Sequence, residues 1–454
     1  MAIIGNPTPG NDLILGDAVN NFIDALAGDD TVNGNGGDDS IFGGLGNDQL
    51  LGAVGNDTLL GGNGNDVLVG DNAGGTGNDS LNGGAGNDVL NGGLGADTLV
   101  GGTGDDVYSI GSSSAIIIEQ ANEGNDIVNS SINFSLGNNL ERLTLVGTAN
   151  INGNGNVLSN SILGNAANNF LNGLAGDDTI NGLDGNDNIN GGDGIDILNG
   201  NNGNDTLNGG AGNDVINGGA GIDLVRVNAV GSNIILTNTS VTGEGVDSLN
   251  GIENAELFVF QSNNIPGNID ASAFTLGSVT LDGGSGSNVL TGGSGNDFLD
   301  GEGANDTLTG GSGDDTLNGG SGNDLLTGGA GADRFLYETG RAFIASDVGL
   351  DTVTSFSVSS DKFVLSKKTF DTLITAAGGT LLSSEFEVVD SFIEQFSSNA
   401  KITYNRVSGD LSFNRNGSIL VGGDAEGGFI ADLNPGNVAG GAPLLSASNI
   451  RIVA

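Results

Sequence analysis

The sequence contains no cysteine, no histidine and no tryptophan. Without cysteine there is neither a disulfide framework nor a thiolate metal site. Without histidine a His-Glu-x-x-His zinc site and a Ser-His-Asp triad are both excluded, and no Gly-x-Ser-x-Gly elbow occurs. Bases are scarce as well: 11 Lys and Arg stand against 56 acids, giving a net charge of -45, and only Arg142 and Arg226 precede Arg334. Such a field repels nucleic acid, and with the first lysine at Lys362 a phosphate-cradling Gly-x-x-x-x-Gly-Lys loop is missing too. Aromatics make up 5% of 454 residues, too few for an ordinary large core. Uninterrupted apolar runs stop at about four residues, so neither a membrane span nor a cleavable N-terminal signal is expected. The five prolines and the lack of a Gly-X-Y period exclude collagen, although 86 residues are glycine.

What is abundant is aspartate, on a beat. Only twelve of the 56 acids are glutamate. In "GGAGNDVLNGGLGADTLVGG", Gly83 to Gly102, Asp88 and Asp97 lie nine residues apart, each after a glycine cluster and before a short apolar stretch. The same spacing links Asp12, Asn21, Asp30, Asp39, Asp48, Asp57 and Asp66, and resumes after four extra residues around Asp71 to Gly75 as Asp79, Asp88, Asp97 and Asp106. A second array holds Asn160, Asn169, Asp178, Asp187, Asp196, Asp205, Asp214 and Asp223. A third holds Asn288, Asp297, Asp306, Asp315, Asp324 and Asp333. Two positions after the aspartates come apolar residues such as Val32, Ile41, Leu50, Leu99, Ile180, Leu207 and Leu317. The unit is Gly-Gly-x-Gly-x-Asp-x-U-x, U being apolar.

A helix cannot carry this unit, since nine residues at about 100° each would throw successive aspartates to opposite faces, and every glycine would cost roughly 1 kcal/mol. A glycine-rich turn of six residues followed by a strand of three fits instead. Two units then close one flat coil that stacks on the next.

In this unit the sequence resembles the RTX, or hemolysin-type, calcium-binding repeat proteins. The resemblance implies an all-β fold, a parallel β-roll or β-solenoid, with Ca2+ between turns one coil apart on the same side, ligated by aspartate carboxylates and backbone carbonyls. Carried onto this chain, the expected metal residues are Asp12, Asp30, Asp39, Asp48, Asp57, Asp66, Asp79, Asp88, Asp97 and Asp106; Asp178, Asp187, Asp196, Asp205, Asp214 and Asp223; and Asp297, Asp306, Asp315, Asp324 and Asp333. Asp30, Asp48 and Asp66 would stack on one edge, Asp39 and Asp57 on the other. Asn21, Asn160, Asn169 and Asn288, at array edges, read as capping turns.

Physical chemistry gives the carboxylates a reason. One buried apolar side chain per nonapeptide falls short of the cost of ordering nine residues. Stacking at the ~4.8 Å strand spacing also sets like charges against each other, at ~0.9 kcal/mol per pair in water and ~3.5 at an effective dielectric of ~20. A hard dication that takes 6 to 8 oxygens reverses both terms, so folding and calcium binding are expected to be one event. Mg2+ suits such a site less well because it keeps its waters, and Zn2+ usually recruits the His or Cys missing here.

The expected organisation is a first array over 1–110, an irregular spacer over 111–155, a second array over 156–227, a second spacer over 228–283, a third array over 284–335, and a β-rich C-terminal domain over 336–454. The spacers, with "NNLERLTLVGTANINGNGN" and "GVDSLNGIENAELFVF", read as solenoid without full metal turns, and Asp126 and Asp247 as spacer acids in preference to outlying ligands. In the C-terminal part "DTVTSF" and "DKFVLS" read as strands and "KITYNRVSGDLSFNRNG" as a hairpin turning at Ser408 to Asp410. This region resembles the uncleaved signal region of RTX proteins exported by type I secretion, although Asn449 and Arg451 flank Ile450 where family tails often carry an acid.

The function expected is that of a secreted, non-catalytic calcium-binding protein, with calcium ions and the type I secretion apparatus as partners. The alternative is a cell-surface structural or adhesive protein that meets surface or matrix components. A hydrolase with an unrecognised site is a third reading. No nucleic acid and no membrane span are expected.

Overall fold

The computed structural model describes residues 2–3, 7–72, 75–260, 267–338, 349–366, 380, 386–389, 402–405, 410–414, 427–432, 445–446 and 449–453. It forms two compact units, Met1–Asp223 and Leu224–Ala454. Both are β-structures, and no helix among the described residues is long and apolar enough to cross a membrane.

In the first unit consecutive strands alternate between two sides of a flattened coil, and each pairs in parallel with the next strand but one. Thr58–Asn63 pairs with Ser40–Leu45 before it and Ser80–Ala85 after it. On the opposite side Val67–Asp71 joins Gln49–Ala53 to Val89–Asn91. The register is eighteen residues per coil, as in Ile41↔Leu59, and stretches to 22 across the insertion, as in Leu59↔Leu81. The extra residues are therefore absorbed in a turn while the strands stay in step. Many strands run six residues, since the paired segment extends through the two glycines: Gly44↔Gly62 and Gly62↔Gly84 belong to the ladder.

Strand alternation sends the U residue inward. Val32, Ile41, Leu50, Leu59, Leu68, Leu81, Leu90 and Leu99 are all buried, as are Ile180, Ile189, Leu198, Leu207, Leu299, Leu308 and Leu317. The core is one apolar side chain deep from each side.

Parallel stacking continues through residues 111–155 on one side: Ile127–Ser130 pairs with Val107–Ile110, Arg142–Leu145 with Ile127–Ser130, and Ser161–Leu163 with Arg142–Leu145. Leu143 and Leu145 are buried on this run. The other side is made of two sheets, one ending at Ile116–Ile118 and the next beginning at Phe134–Ser135.

In the second unit Leu224–Val230, Asn254–Phe260, Val279–Asp282 and Phe298–Asp300 stack in parallel on one side. Ile234–Thr237, Ser240–Thr242 and Val246–Asn250 form an antiparallel excursion, which a nine-residue beat does not announce. The parallel ladder then passes beyond the last repeat, through Arg334–Tyr337 and Lys362–Ser366 to Ile450–Val453. Opposite, Leu325–Ala330 pairs with Asp351–Thr354. Ile402–Asn405 and Asp410–Asn414 pair antiparallel as a hairpin, whose turn at Ser408 lies outside the described residues.

Candidate metal centre

Each repeat aspartate precedes a strand and lies at the edge of the coil, where its two oxygens meet different surroundings. Oδ1 accepts the backbone N–H of the acid one coil earlier. Asp12 N donates to Asp30 Oδ1 at 2.7 Å, Asp30 N to Asp48 at 2.8 Å, and Asp48 N to Asp66 at 2.7 Å. Along the other edge Asn21 N, Asp39 N and Asp57 N donate in the same way to Asp39, Asp57 and Asp79. These bonds bring together Asp66, Asp88 and Asp106, and likewise Asp79 and Asp97. In the second array they join Asp178, Asp196 and Asp214, and also Asp187, Asp205 and Asp223. In the third they join Asp297, Asp315 and Asp333, and Asp306 and Asp324.

Oδ2 is the remaining oxygen. It is buried without a hydrogen-bond partner in Asp30, Asp39, Asp48, Asp57, Asp66, Asp79, Asp88, Asp97 and Asp106, in Asp178, Asp187, Asp196 and Asp205, and in Asp306, Asp315 and Asp333. Native interiors leave only a few such atoms unpaired, and each calls for an explanation. Main-chain oxygen lines the same space: a Cβ on Gly43 would stand 2.3 Å from Asp48 Oδ2 and 2.8 Å from the Gly61 carbonyl oxygen. On Gly173 it would stand 2.1 Å from Asp178 Oδ2 and 2.5 Å from the Gly191 carbonyl oxygen. Only glycine leaves this cradle open.

Outside Asp79, which follows the inserted turn, the cause of the missing hydrogen bond lies four residues before the aspartate. Leu26, Asn35, Gly44, Ala53 and Gly62 precede Asp30, Asp39, Asp48, Asp57 and Asp66 at that distance and have φ of 78, 68, 110, 85 and 114°. Left-handed backbone there turns the N–H away from the carboxylate. At edge positions without it the N–H returns. Thr8 N donates to Asp12 Oδ2 at 2.6 Å, Asp17 N to Asn21 Oδ1 at 3.0 Å, Asn156 N to Asn160 Oδ1 at 2.7 Å, and Gly293 N to Asp297 Oδ2 at 2.7 Å. The asparagines also use their amide donors: Asn160 Nδ2 meets the Leu140 carbonyl at 3.1 Å and Asn169 Nδ2 the Ile151 carbonyl at 2.7 Å. Edge positions thus satisfy themselves, while interior positions present acceptors to acceptors.

Burial raises the carboxyl pKa values accordingly, with neighbouring acids adding to the shift. Asp48, Asp57 and Asp66 move up to about 6, and Asp79, Asp106, Asp178, Asp306 and Asp315 to about 7. The opposing force is the backbone N–H on Oδ1. Arg226 pairs with Glu256, and no basic side chain contributes to the shifts of Asp48, Asp79, Asp106 and Asp178.

Residues 8–108, 154–225 and 280–344, just over half the chain, match the model of the RTX calcium-binding nonapeptide repeat. The chain belongs to this RTX repeat family. Its members' repeats bind calcium, and the acceptor-only spaces described above fit such an ion: hard oxygen donors, one charged, with carbonyls alongside. No curated protein matches the sequence. Among solved structures, the crystal structure of extracellular lipase LipA from Serratia marcescens is similar at 13% identity over 78% of this chain and 67% of that one, with a TM-score of 0.21. At that score the two chains do not superpose as wholes.

Three acids outside the regular beat share this geometry. Asp106 N donates to Asp126 Oδ1, Asp324 N to Asp351 Oδ1 and Asp333 N to Asp361 Oδ1, across 20, 27 and 28 residues. Their spacing is stretched and the glycine pair five and four residues before the acid is missing, although Gly124 and Gly349 still stand two residues before Asp126 and Asp351. The signal common to all three is an apolar residue two positions on, namely Val128, Val353 and Phe363, all buried.

Proposed function

We propose that this chain is a secreted, non-catalytic scaffold whose repeat arrays fold when Ca2+ enters the spaces between neighbouring coils. The observation that carries the reading is the file of buried Oδ2 atoms with neither a donor nor a base beside them. A cation at each would supply the missing partner and separate the stacked charges. With the ~10⁻⁴ to 10⁻³ M affinities common in extracellular calcium modules, the arrays would stay open in cytosol and close outside the cell. Export of an open chain by type I secretion agrees with that order of events. The lack of histidine and cysteine supports a non-catalytic role.

The test is circular dichroism and calorimetry of the full chain titrated with Ca2+ and then EGTA. Ordered β-structure should appear with calcium and be lost with the chelator. A compact, protease-resistant chain at about pH 7.5 after complete demetallation would overturn the reading.

Retention on the cell surface is the second reading. It is favoured by Val230 and Phe260, register partners that both present exposed apolar side chains. Protein that stays with washed cells in calcium would support it, and protein found wholly in the medium would exclude it.

A further inference from the structure

At the place where the first array gives way to irregular sequence, one coil departs from the pattern in a specific manner. Strand Thr98–Thr103 pairs with Ile116–Ile118 through Val100↔Ile118. Glu119 therefore follows Ile118 where Gly101 follows Val100. Gly101 is the residue whose Cβ would stand 2.1 Å from Asp106 Oδ2 and 2.3 Å from Tyr108 Oη. One coil later a glutamate takes that register position, and the turn after it is two residues longer, with Asp126 lying 20 residues beyond Asp106 instead of 18. The longer turn has room for a side chain.

That side chain turns inward. Asp106, Glu119 and Asp126 each contribute a carboxylate oxygen to a group lying within 4.8 Å of one another, and all three residues are buried. Tyr108 Oη donates to Glu119 Oε1. Glu119 Oε2 and Asp106 Oδ2 are buried with no hydrogen-bond partner, at residue exposures of 8% and 0%. The donors in reach are thus one phenol, the Asp88 N–H on Asp106 Oδ1 and the Asp106 N–H on Asp126 Oδ1. Arg142, the first base in the sequence, has an exposed side chain. Burial pushes Asp106 and Glu119 up to about 7 and Asp126 to about 6, which marks how poorly the group holds its charge unaided.

We propose that Asp106, Glu119 and Asp126 form a three-carboxylate site for a divalent cation of the calcium class, separate in design from the repeat sites. A repeat space offers one free carboxylate oxygen and carbonyls; this one gathers three acids from three successive segments of chain. Ligand charge count tunes calcium affinity, so this site fills at lower ion concentration than the repeats do. Its ligands come from both sides of the coil, and the Glu119 side is the one where the first sheet ends at Ile116–Ile118. The ion would pin that end. The site depends on the scaffold reading only in that the coils must fold for the three segments to meet.

The probe is Tb3+ in place of calcium, with emission excited through tyrosine. The chain has no tryptophan and three tyrosines, so a Tyr337→Phe/Tyr404→Phe chain leaves Tyr108 as the sole tyrosine. Sensitised emission should rise together with the folding signal seen by circular dichroism and be saturated while calorimetry still registers further Tb3+ uptake by the repeats. Glu119→Gln keeps the shape and the acceptor for Tyr108 but removes a charge. It should weaken ion binding at this site by at least about tenfold, and reduce bound calcium in the otherwise natural chain by one ion. Asp126→Asn is read identically, so a folding defect in one variant leaves the other to decide. Full emission and unchanged calcium stoichiometry in either folded variant would overturn the proposal, leaving Asp106 as an ordinary repeat residue. Failure of the unsubstituted chain to fold on calcium would instead overturn the scaffold reading.

Discussion

Protons and calcium compete for the same buried oxygens, so withdrawing the metal and lowering the pH interrogates the coil edges directly. Burial raises Asp79, Asp106, Asp178, Asp306 and Asp315 to about 7, and Asp48, Asp57, Asp66, Asp126, Asp187, Asp196 and Asp205 to about 6, from 3.8. In every case the folded-state value stands above the unfolded one. The stability these groups contribute is therefore complete below about pH 4 and is lost as the pH rises through about 6 to 7. Between those limits the folded, metal-free chain holds protons that the unfolded chain has released, and near pH 5.5 folding takes up on the order of ten of them. In EGTA the chain should be open at about pH 7.5 and gain β-sheet ellipticity and protease resistance as it is brought to about pH 5. In calcium, binding should release protons, and the midpoint should move to higher concentration by roughly tenfold or more between about pH 7.5 and 5.5. A metal-free chain equally open at both pH values, or a midpoint indifferent to pH, would refute the argument that acceptor-only burial is what the ion relieves.

Three substitutions examine individual parts of the coil. Gly43→Ala fills the space beside Asp48 Oδ2 and the Gly61 carbonyl, and should remove calcium locally while the far end of the array folds as before, read by calorimetric stoichiometry. Leu174 has a φ of 80° and an exposed side chain, so Leu174→Gly relieves left-handed strain of about 1 kcal/mol and should raise the melting temperature of the calcium-loaded chain. Leu207 is fully buried, and Leu207→Ala should cost roughly 2 to 5 kcal/mol by denaturant titration in calcium, whereas loss of a single ion site should be recoverable with more calcium.

The beat of nine determined, by itself, the all-β class, the two-strand coil, the inward U residues and the vertical files of aspartate. Each of these follows from strand alternation and from glycine at turns, which are local properties of the chain. Tertiary structure decided which of those aspartates keep an unsatisfied oxygen. Asp297 and Asp30 look alike in sequence, yet Gly293 returns its N–H to Asp297 while Leu26, in left-handed backbone, withholds it from Asp30. Stacking also decided that Asp126, Asp351 and Asp361 stand in the same files after the beat of nine is lost, because ladder register survives a lengthened turn where a fixed spacing does not. Glu119 is the sharpest instance. Its carboxylate reaches Asp106 and Asp126 because parallel pairing sets it in the place of a glycine one coil away, a neighbour relation that only folding creates.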